Sequence, residues 1–244
     1  MIKTIICFAY TIVTMLILIP IGIIVVLFSL LGLRRLIAVL MYRVGQGWAR
    51  LLIGIIGCKV TVMGRENIPR RGGVCFFSNH GSVFDIVLLL AYSGRLLGFV
   101  AKKELLFIPL LNIWIFVLGG LFINRKNPRK ALKTINVGVA RIKSGSAMII
   151  FPEGHRSRGQ GILPFRPGSF KLATQSEAVI VPVAITGTYD IFEKNYRVNS
   201  GPVSITFCKP VNTADIPAAD RKTILSDQIY GVIKRELEKG SSGD

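Results

Sequence analysis

The pattern of hydrophobic and polar positions changes character near residue 57. Residues 4–33 contain no charged side chain, and the apolar-rich stretch from Leu36 to Gly57 is interrupted by Arg43, Gln46 and Arg50. From Lys59 onward, short apolar runs alternate with Gly, Pro and polar turns. Short runs rich in Val, Ile and Phe predict strands at 59–63, 74–77, 97–101, 147–151, 179–186 and 203–207, with a further short apolar run at 121–123. Helical periodicity predicts helices at 84–92, 128–143 and 220–239. Strands and helices in alternation imply an α/β domain, a mixed sheet covered by helices on both sides. The expected division is 1–57 as N-terminal membrane-associated helices, 58–239 as the α/β domain and 240–244 as a disordered tail.

The uncharged stretch is of membrane length. As one helix it would run roughly 45 Å, longer than the approximately 30 Å a bilayer core requires. Pro20 and Gly22 stand where a bend is expected, so a tilted span and a bent, re-entrant segment both fit. The run is too long for a cleavable leader, and no small-residue cleavage site closes it. The following segment carries Tyr42 and Trp48 among its arginines, as expected of a second helix in or against the headgroup layer; a buried core helix is the alternative. Lys3, Arg34, Arg35, Arg43 and Arg50 face no acidic residue within 1–57, and positive-inside bias puts the rest of the chain on the cytoplasmic side of the inner membrane.

Charge narrows the partners. Thirty-one Lys and Arg against 13 Asp and Glu give +18, which favours an anionic partner such as membrane lipid, a phosphorylated metabolite, an acidic carrier protein or nucleic acid. A mean hydropathy of +0.53 favours membrane over nucleic acid, and no helix-turn-helix, aromatic RNA-binding or zinc pattern is present. Cys7, Cys58, Cys75 and Cys208 are scattered without paired spacing, so they read as thiols in a reducing compartment, with no metal site expected.

Chemistry gathers where strands end. Asn79-His80-Gly81-Ser82-Val83-Phe84-Asp85 follows the 74–77 strand and opens a helix; Ser82 and Asp85 have capping-box spacing. His80, one of two histidines, has a carboxylate five positions on. A carboxylate on one ring nitrogen fixes the tautomer and leaves the other nitrogen free to take a proton. Equally, Ser82 and Asp85 can serve as a helix cap, with His80 a polar loop residue. Phe151-Pro152-Glu153-Gly154-His155-Arg156-Ser157-Arg158 also leaves a strand directly, so both turns are expected at one crevice. There glycine admits a ligand close to backbone, Arg156 offers a fork of donors to phosphate, and Glu153 can orient a hydroxyl or the arginine. A third turn puts Arg125 just past an apolar run, and Pro182 within a buried strand marks a bulge or an edge.

Taken together, in order and spacing, these stretches resemble the four sequence blocks of the glycerolipid acyltransferases, the family of 1-acylglycerol-3-phosphate acyltransferases. The first block, N-H-x-x-x-x-D, is met by Asn79, His80 and Asp85. The second, G-x-x-F-I-x-R, is met by Gly119 or Gly120 with Phe122, Ile123 and Arg125; the third, F-P-E-G-T-R-S, by Phe151 to Ser157 with His155 in place of threonine; the fourth by the apolar strand around Pro182. The resemblance covers roughly 57–210 and implies acyl transfer from acyl-CoA or acyl carrier protein to the free hydroxyl of lysophosphatidic acid, giving phosphatidic acid. It implies no cofactor beyond the thioester cosubstrate. His80 would be the base and Asp85 its orienting carboxylate. Arg125 and Arg156 would contact phosphate, with Glu153 and Gly154 lining the acceptor site. Lys103, Arg158 and Arg166 are candidates on charge alone, and backbone N–H groups near Gly154 are candidate oxyanion donors. His155 bears on which acceptor is used. Acylation of another lyso-lipid, such as a lyso-ornithine lipid or a lysophospholipid, is the alternative within the fold. A non-catalytic module binding anionic lipid is the alternative outside it.

Overall fold

The computed structural model describes residues 1–21, Ile24, Phe28, 34–217 and 221–241. The helices are α1 (Ile2–Ile17), α2 (Arg34–Ile56), α3 (Phe84–Tyr92), α4 (Leu111–Val117), α5 (Pro128–Lys143), α6 (Lys171–Ser176), α7 (Thr188–Ile191) and α8 (Arg221–Ser241). The strands are β1 (Lys59–Met63), β2 (Val74–Ser78), β3 (Leu97–Lys102), β4 (Leu121–Ile123), β5 (Ala147–Ile150), β6 (Val179–Thr186), β7 (Pro202–Phe207) and β8 (Val211–Asn212). They form one mixed sheet in the order β1-β7-β6-β2-β5-β3-β4, with β8 beside β6. β6, β2, β5, β3 and β4 run parallel, while β7 and β8 pair antiparallel to β6.

β2 lies near the middle of this sheet, and all five of its residues are buried, as a parallel strand covered on both faces requires. Its side chains alternate between two cores. Val74 and Phe76 join Ile149, Val181 and Ile205 beneath α2 and α3, whereas Cys75 and Phe77 join Ile150, Ile180 and the inner faces of α5, α6 and α8. In register, Phe76 stands between Ile149 and Val181. Filling both faces in this way is what holds the strand ends at a common level.

α2 is apolar on two sides. Met41, Tyr42, Ala49, Leu52, Ile53 and Ile56 are buried, most of them in the core shared with β2, while Val39, Leu40 and Leu51 are exposed. Core packing therefore runs continuously across residue 57, where the sequence texture suggested a boundary. Arg50 donates from Nε to the Ala91 carbonyl at 3.2 Å and lies over the Tyr92 ring, which ties α2 to the end of α3. The first helix turns at Leu18, before Pro20; Gly22 lies outside the described residues, as do the side chains of Arg34 and Arg35.

Pro182 is interior, not at an edge. β6 pairs β2 along one side, and on the other its ladder passes from β8 at Ile180 to β7 at Val183. The proline occupies that break, where Cys208 N–H donates to its carbonyl, so its missing N–H costs no ladder bond. The closing helix runs through Gly240 and Ser241, where a tail was expected; 218–220 and 242–244 lie outside the described residues.

Candidate active site

Parallel strands bring their carboxyl ends to one edge of the sheet, and the polar turns after β2, β3, β4, β5 and β6 meet there. Asn79 continues the ladder with its side chain. Its Nδ2 donates to the Ile185 carbonyl and its Oδ1 accepts from Ile185 N–H, each at 2.9 Å. The chain then leaves the sheet at His80.

His80 Nδ1 lies 2.9 Å from Asp85 Oδ2. Asp85 is fully buried and also accepts from Ser82 N–H at 2.9 Å and from the Thr188 hydroxyl at 2.6 Å. A carboxylate at Nδ1 requires the proton there, which leaves Nε2 as the basic nitrogen. The imidazole stacks on Phe151 at 3.9 Å between centroids, which fixes the ring plane. Half of the expected capping box forms: Asp85 takes Ser82 N–H, while Ser82 Oγ accepts from Phe84 N–H at 3.0 Å.

The turn after β5 grips His80 through its backbone. Ser157 N–H donates to the His80 carbonyl at 2.7 Å, and His80 N–H donates to Glu153 Oε1 at 2.7 Å. Glu153 is buried, and its second oxygen accepts from Leu163 N–H at 3.2 Å. Burial pushes its carboxyl up to about 7; the two N–H donors oppose this and the Asp85 charge adds to it. Glu153 therefore braces the two turns, with its carboxylate directed at backbone and not at the cavity.

The cavity measures about 1110 Å³. His80, Arg125, Gly154, His155, Arg156, Arg158 and Arg166 lie in its wall, together with Lys102 rather than Lys103. Arg125 donates from Nη1 to the Gly154 carbonyl at 2.6 Å, and a side chain at Gly154 would come within 3.1 Å of the Arg166 guanidinium. Gly154 has φ of 81°, a left-handed conformation that favours glycine, and its N–H is taken by the Phe151 carbonyl, so it is not an oxyanion donor here. Burial, and then the Arg166 charge, lowers Arg125 below the usual guanidinium range, with Glu104 acting the other way. Such crowding of cations is relieved by an anion. The rest of the wall is mainly apolar, drawn from α1 (Phe8, Met15), α2 (Trp48, Leu52), α3 (Val87, Leu90) and α4 (Trp114, Ile115). Among the described residues, no group of His, Cys, Asp or Glu has the arrangement of a metal site.

Sequence reasoning missed Glu193. It is buried and accepts from Ser82 Oγ at 2.5 Å, Val83 N–H at 2.7 Å and Arg156 Nη1 at 3.0 Å. Thr188 and Lys102 were also unassigned. One signal was available: with so few acids against so many bases, each acid near a basic cluster deserves a partner.

Comparison with known proteins gives concordant results. The family model described as Acyltransferase matches residues 59–186. A 1-acyl-sn-glycerol-3-phosphate acyltransferase from Cocos nucifera is 34% identical over 173 residues, covering 70% of this chain and 56% of that protein. One from Salmonella typhimurium is 30% identical over 200 residues, covering 79% of this chain and 81% of its own. The match thus spans less than two thirds of the length of some relatives, such as the coconut protein. The crystal structure of the 1-acyl-sn-glycerophosphate acyltransferase PlsC from Thermotoga maritima superposes with a TM-score of 0.81 at 26% identity, covering 98% of this chain and 97% of that one.

Proposed function

Because this chain belongs to the acyltransferase family, we propose that it transfers a fatty acyl group from acyl-CoA or acyl carrier protein to the free hydroxyl of 1-acylglycerol-3-phosphate. The observation that carries this reading is the His80–Asp85 pair in the wall of a largely apolar cavity whose polar part holds Arg125, Arg156 and Arg166. His80 Nε2 takes the hydroxyl proton as the alcohol oxygen bonds to the thioester carbonyl carbon. The tetrahedral adduct collapses with loss of the C–S bond, and the imidazolium returns the proton to the departing thiolate. Asp85 stabilises the imidazolium between these steps. No acyl-enzyme is required.

The arginines are suited to the acceptor's phosphate, and the apolar wall to the acyl chains. The same reading puts the catalytic domain on the cytoplasmic face of the inner membrane, with residues 1–57 associated with lipid. α1 supports it, since the helix through Ile21 is long and apolar enough to cross a bilayer.

His155 favours a second reading of the acceptor. An exposed imidazole in the cavity wall beside the arginines is placed to contact a headgroup, so a lyso-lipid without a phosphomonoester is the rival substrate. The test is acyl transfer from a labelled thioester by detergent-purified protein. His80→Ala abolishes turnover, and His155→Ala raises the KM for lysophosphatidate while sparing kcat. The reverse pattern between the two histidines sinks the assignment. Faster acylation of a lyso-lipid lacking the phosphomonoester selects the rival acceptor.

A further inference from the structure

β6 leaves the sheet beside the turn that carries His80. Asn79 pairs with Ile185 through both of its side-chain polar atoms, so the residues after Ile185 and those after Asn79 depart from adjacent strand ends. Gly187 then turns the chain with φ of 80°, and a side chain there would collide with the Pro202 carbonyl, so this turn requires glycine. The turn sets Thr188 at the head of α7, where it is 3% exposed and faces the fully buried Asp85. Ile191, in the same short helix, is packed into the core beneath α2 and α3, and its carbonyl accepts from Asn199 N–H at 2.8 Å. Thr188 is therefore carried by contacts that do not involve its own hydroxyl.

The two oxygens of Asp85 have different partners. Oδ2 faces His80 Nδ1 and Ser82 N–H, each at 2.9 Å, whereas Oδ1 takes the Thr188 hydroxyl at 2.6 Å. An ionised carboxylate only accepts, so the hydroxyl is the donor. Both contacts on Oδ2 leave the group free to pivot about that oxygen, and the lone pair aimed at Nδ1 would turn with it. A donor on Oδ1 stops the pivot. The branched Cβ of threonine restricts χ1, which makes it a stiff stop. We propose that Thr188 is a positioning residue for the base: its hydroxyl locks the carboxylate plane of Asp85 and, through it, the Nδ1–H tautomer of His80. Nε2 then stays the basic nitrogen each time the ring is regenerated. This inference rests on the reading of His80 as the base in acyl transfer.

The test uses the full chain, purified in detergent and labelled with nitrogen-15 at histidine. The chain has two histidines, so the spectrum of His80→Ala assigns the His80 signals. At alkaline pH the unsubstituted protein is expected to show a pyrrole-type Nδ1 and a pyridine-type Nε2, well separated. In Thr188→Val, which keeps the branched shape and loses the hydroxyl, the two resonances converge as the tautomers mix; in Thr188→Ser they separate again. An unchanged His80 spectrum in Thr188→Val overturns the proposal. This arm needs no turnover. In a second arm, transfer from a labelled acyl thioester to lysophosphatidate is followed. Thr188→Val lowers kcat about ten- to hundredfold with KM changed by less than about twofold, and Thr188→Ser recovers to within about threefold. An equal fall in both variants, or a raised KM at unchanged kcat, makes Thr188 a packing or substrate-contact residue and overturns the proposal. If Thr188→Val does not fold, Thr188→Ala takes its place in both arms. Inactivity of the unsubstituted protein refutes the reaction on which the proposal rests, and the tautomer result is read independently of it.

Discussion

Glu193 binds three donors that belong to two different turns. Ser82 and Val83 lie between the proposed base and its orienting carboxylate, and Arg156 lies on the proposed phosphate side. Removing the carboxylate would leave the Ser82 hydroxyl proton without its acceptor, although Ser82 Oγ would still accept from Phe84 N–H, and would free the part-buried Val83 N–H; loss of the buried acceptor costs about 1–3 kcal/mol. It would also release Arg156 to move. The Glu193→Gln variant keeps an acceptor for some of these donors and loses the charge facing the guanidinium. We expect Glu193→Ala to lower both thermal stability and kcat/KM, and Glu193→Gln to raise the KM for lysophosphatidate with a small change in melting temperature. A Gln variant with unchanged KM and lowered stability would reduce Glu193 to a structural brace. His80 and Asp85 were legible in the sequence because their partnership is local, spanning one turn. Glu193 was not, because its partners lie 37 to 111 residues away and only the fold brings them close.

At the scale of elements, the site depends on how the turns after β2 and β5 are held together, and Glu153 is the fastening. Its carboxyl is raised from an ordinary value of 4.5 to about 7, chiefly by burial. A raised folded value means that the native state keeps a proton the unfolded chain has lost. The associated stability is therefore fully present below about 4.5 and is lost as pH rises through about 7. The thermal midpoint should fall across this window, and Glu153→Gln should flatten that segment of the profile; an unchanged slope in calorimetry refutes the assignment. Long and strongly patterned elements were readable from sequence: β2 is a continuous apolar run, and α5 begins at Pro128 behind Asn127, whose side chain caps Lys130 N–H. α4, α6 and β8 were not. α6 has six residues and β8 has two, too few for periodicity to register, and α4 is hidden within an uninterrupted apolar run. Tertiary contacts, rather than local pattern, order these pieces.

At the scale of the molecule, the N-terminal helices and the α/β core are joined more closely than the composition shift at 57 implied. Lys3 Nζ reaches the Ile56 carbonyl at 3.1 Å, Val198 N–H donates to Thr4 Oγ1 at 2.9 Å, and Trp48 Nε1 donates to Thr14 Oγ1 at 2.9 Å while its ring stacks on Tyr10. A charge of +18 on such a body acts on the surroundings as a whole. Exposed cations gather anionic lipid over a Debye length of about 30 Å at 0.01 M salt and about 8 Å at 0.15 M, whereas the half-buried arginines at the cavity are screened much less. The two effects are separable with vesicles. In anionic vesicles, raising salt across that range should increase the apparent KM for embedded lysophosphatidate with little change in kcat, because fewer protein molecules are held at the surface. In detergent micelles without net charge, the same increase in salt should leave KM nearly constant. A KM that rises equally in both would place the salt-sensitive step at the phosphate contacts in the cavity, and the basic surface would then have no part in delivering the acceptor.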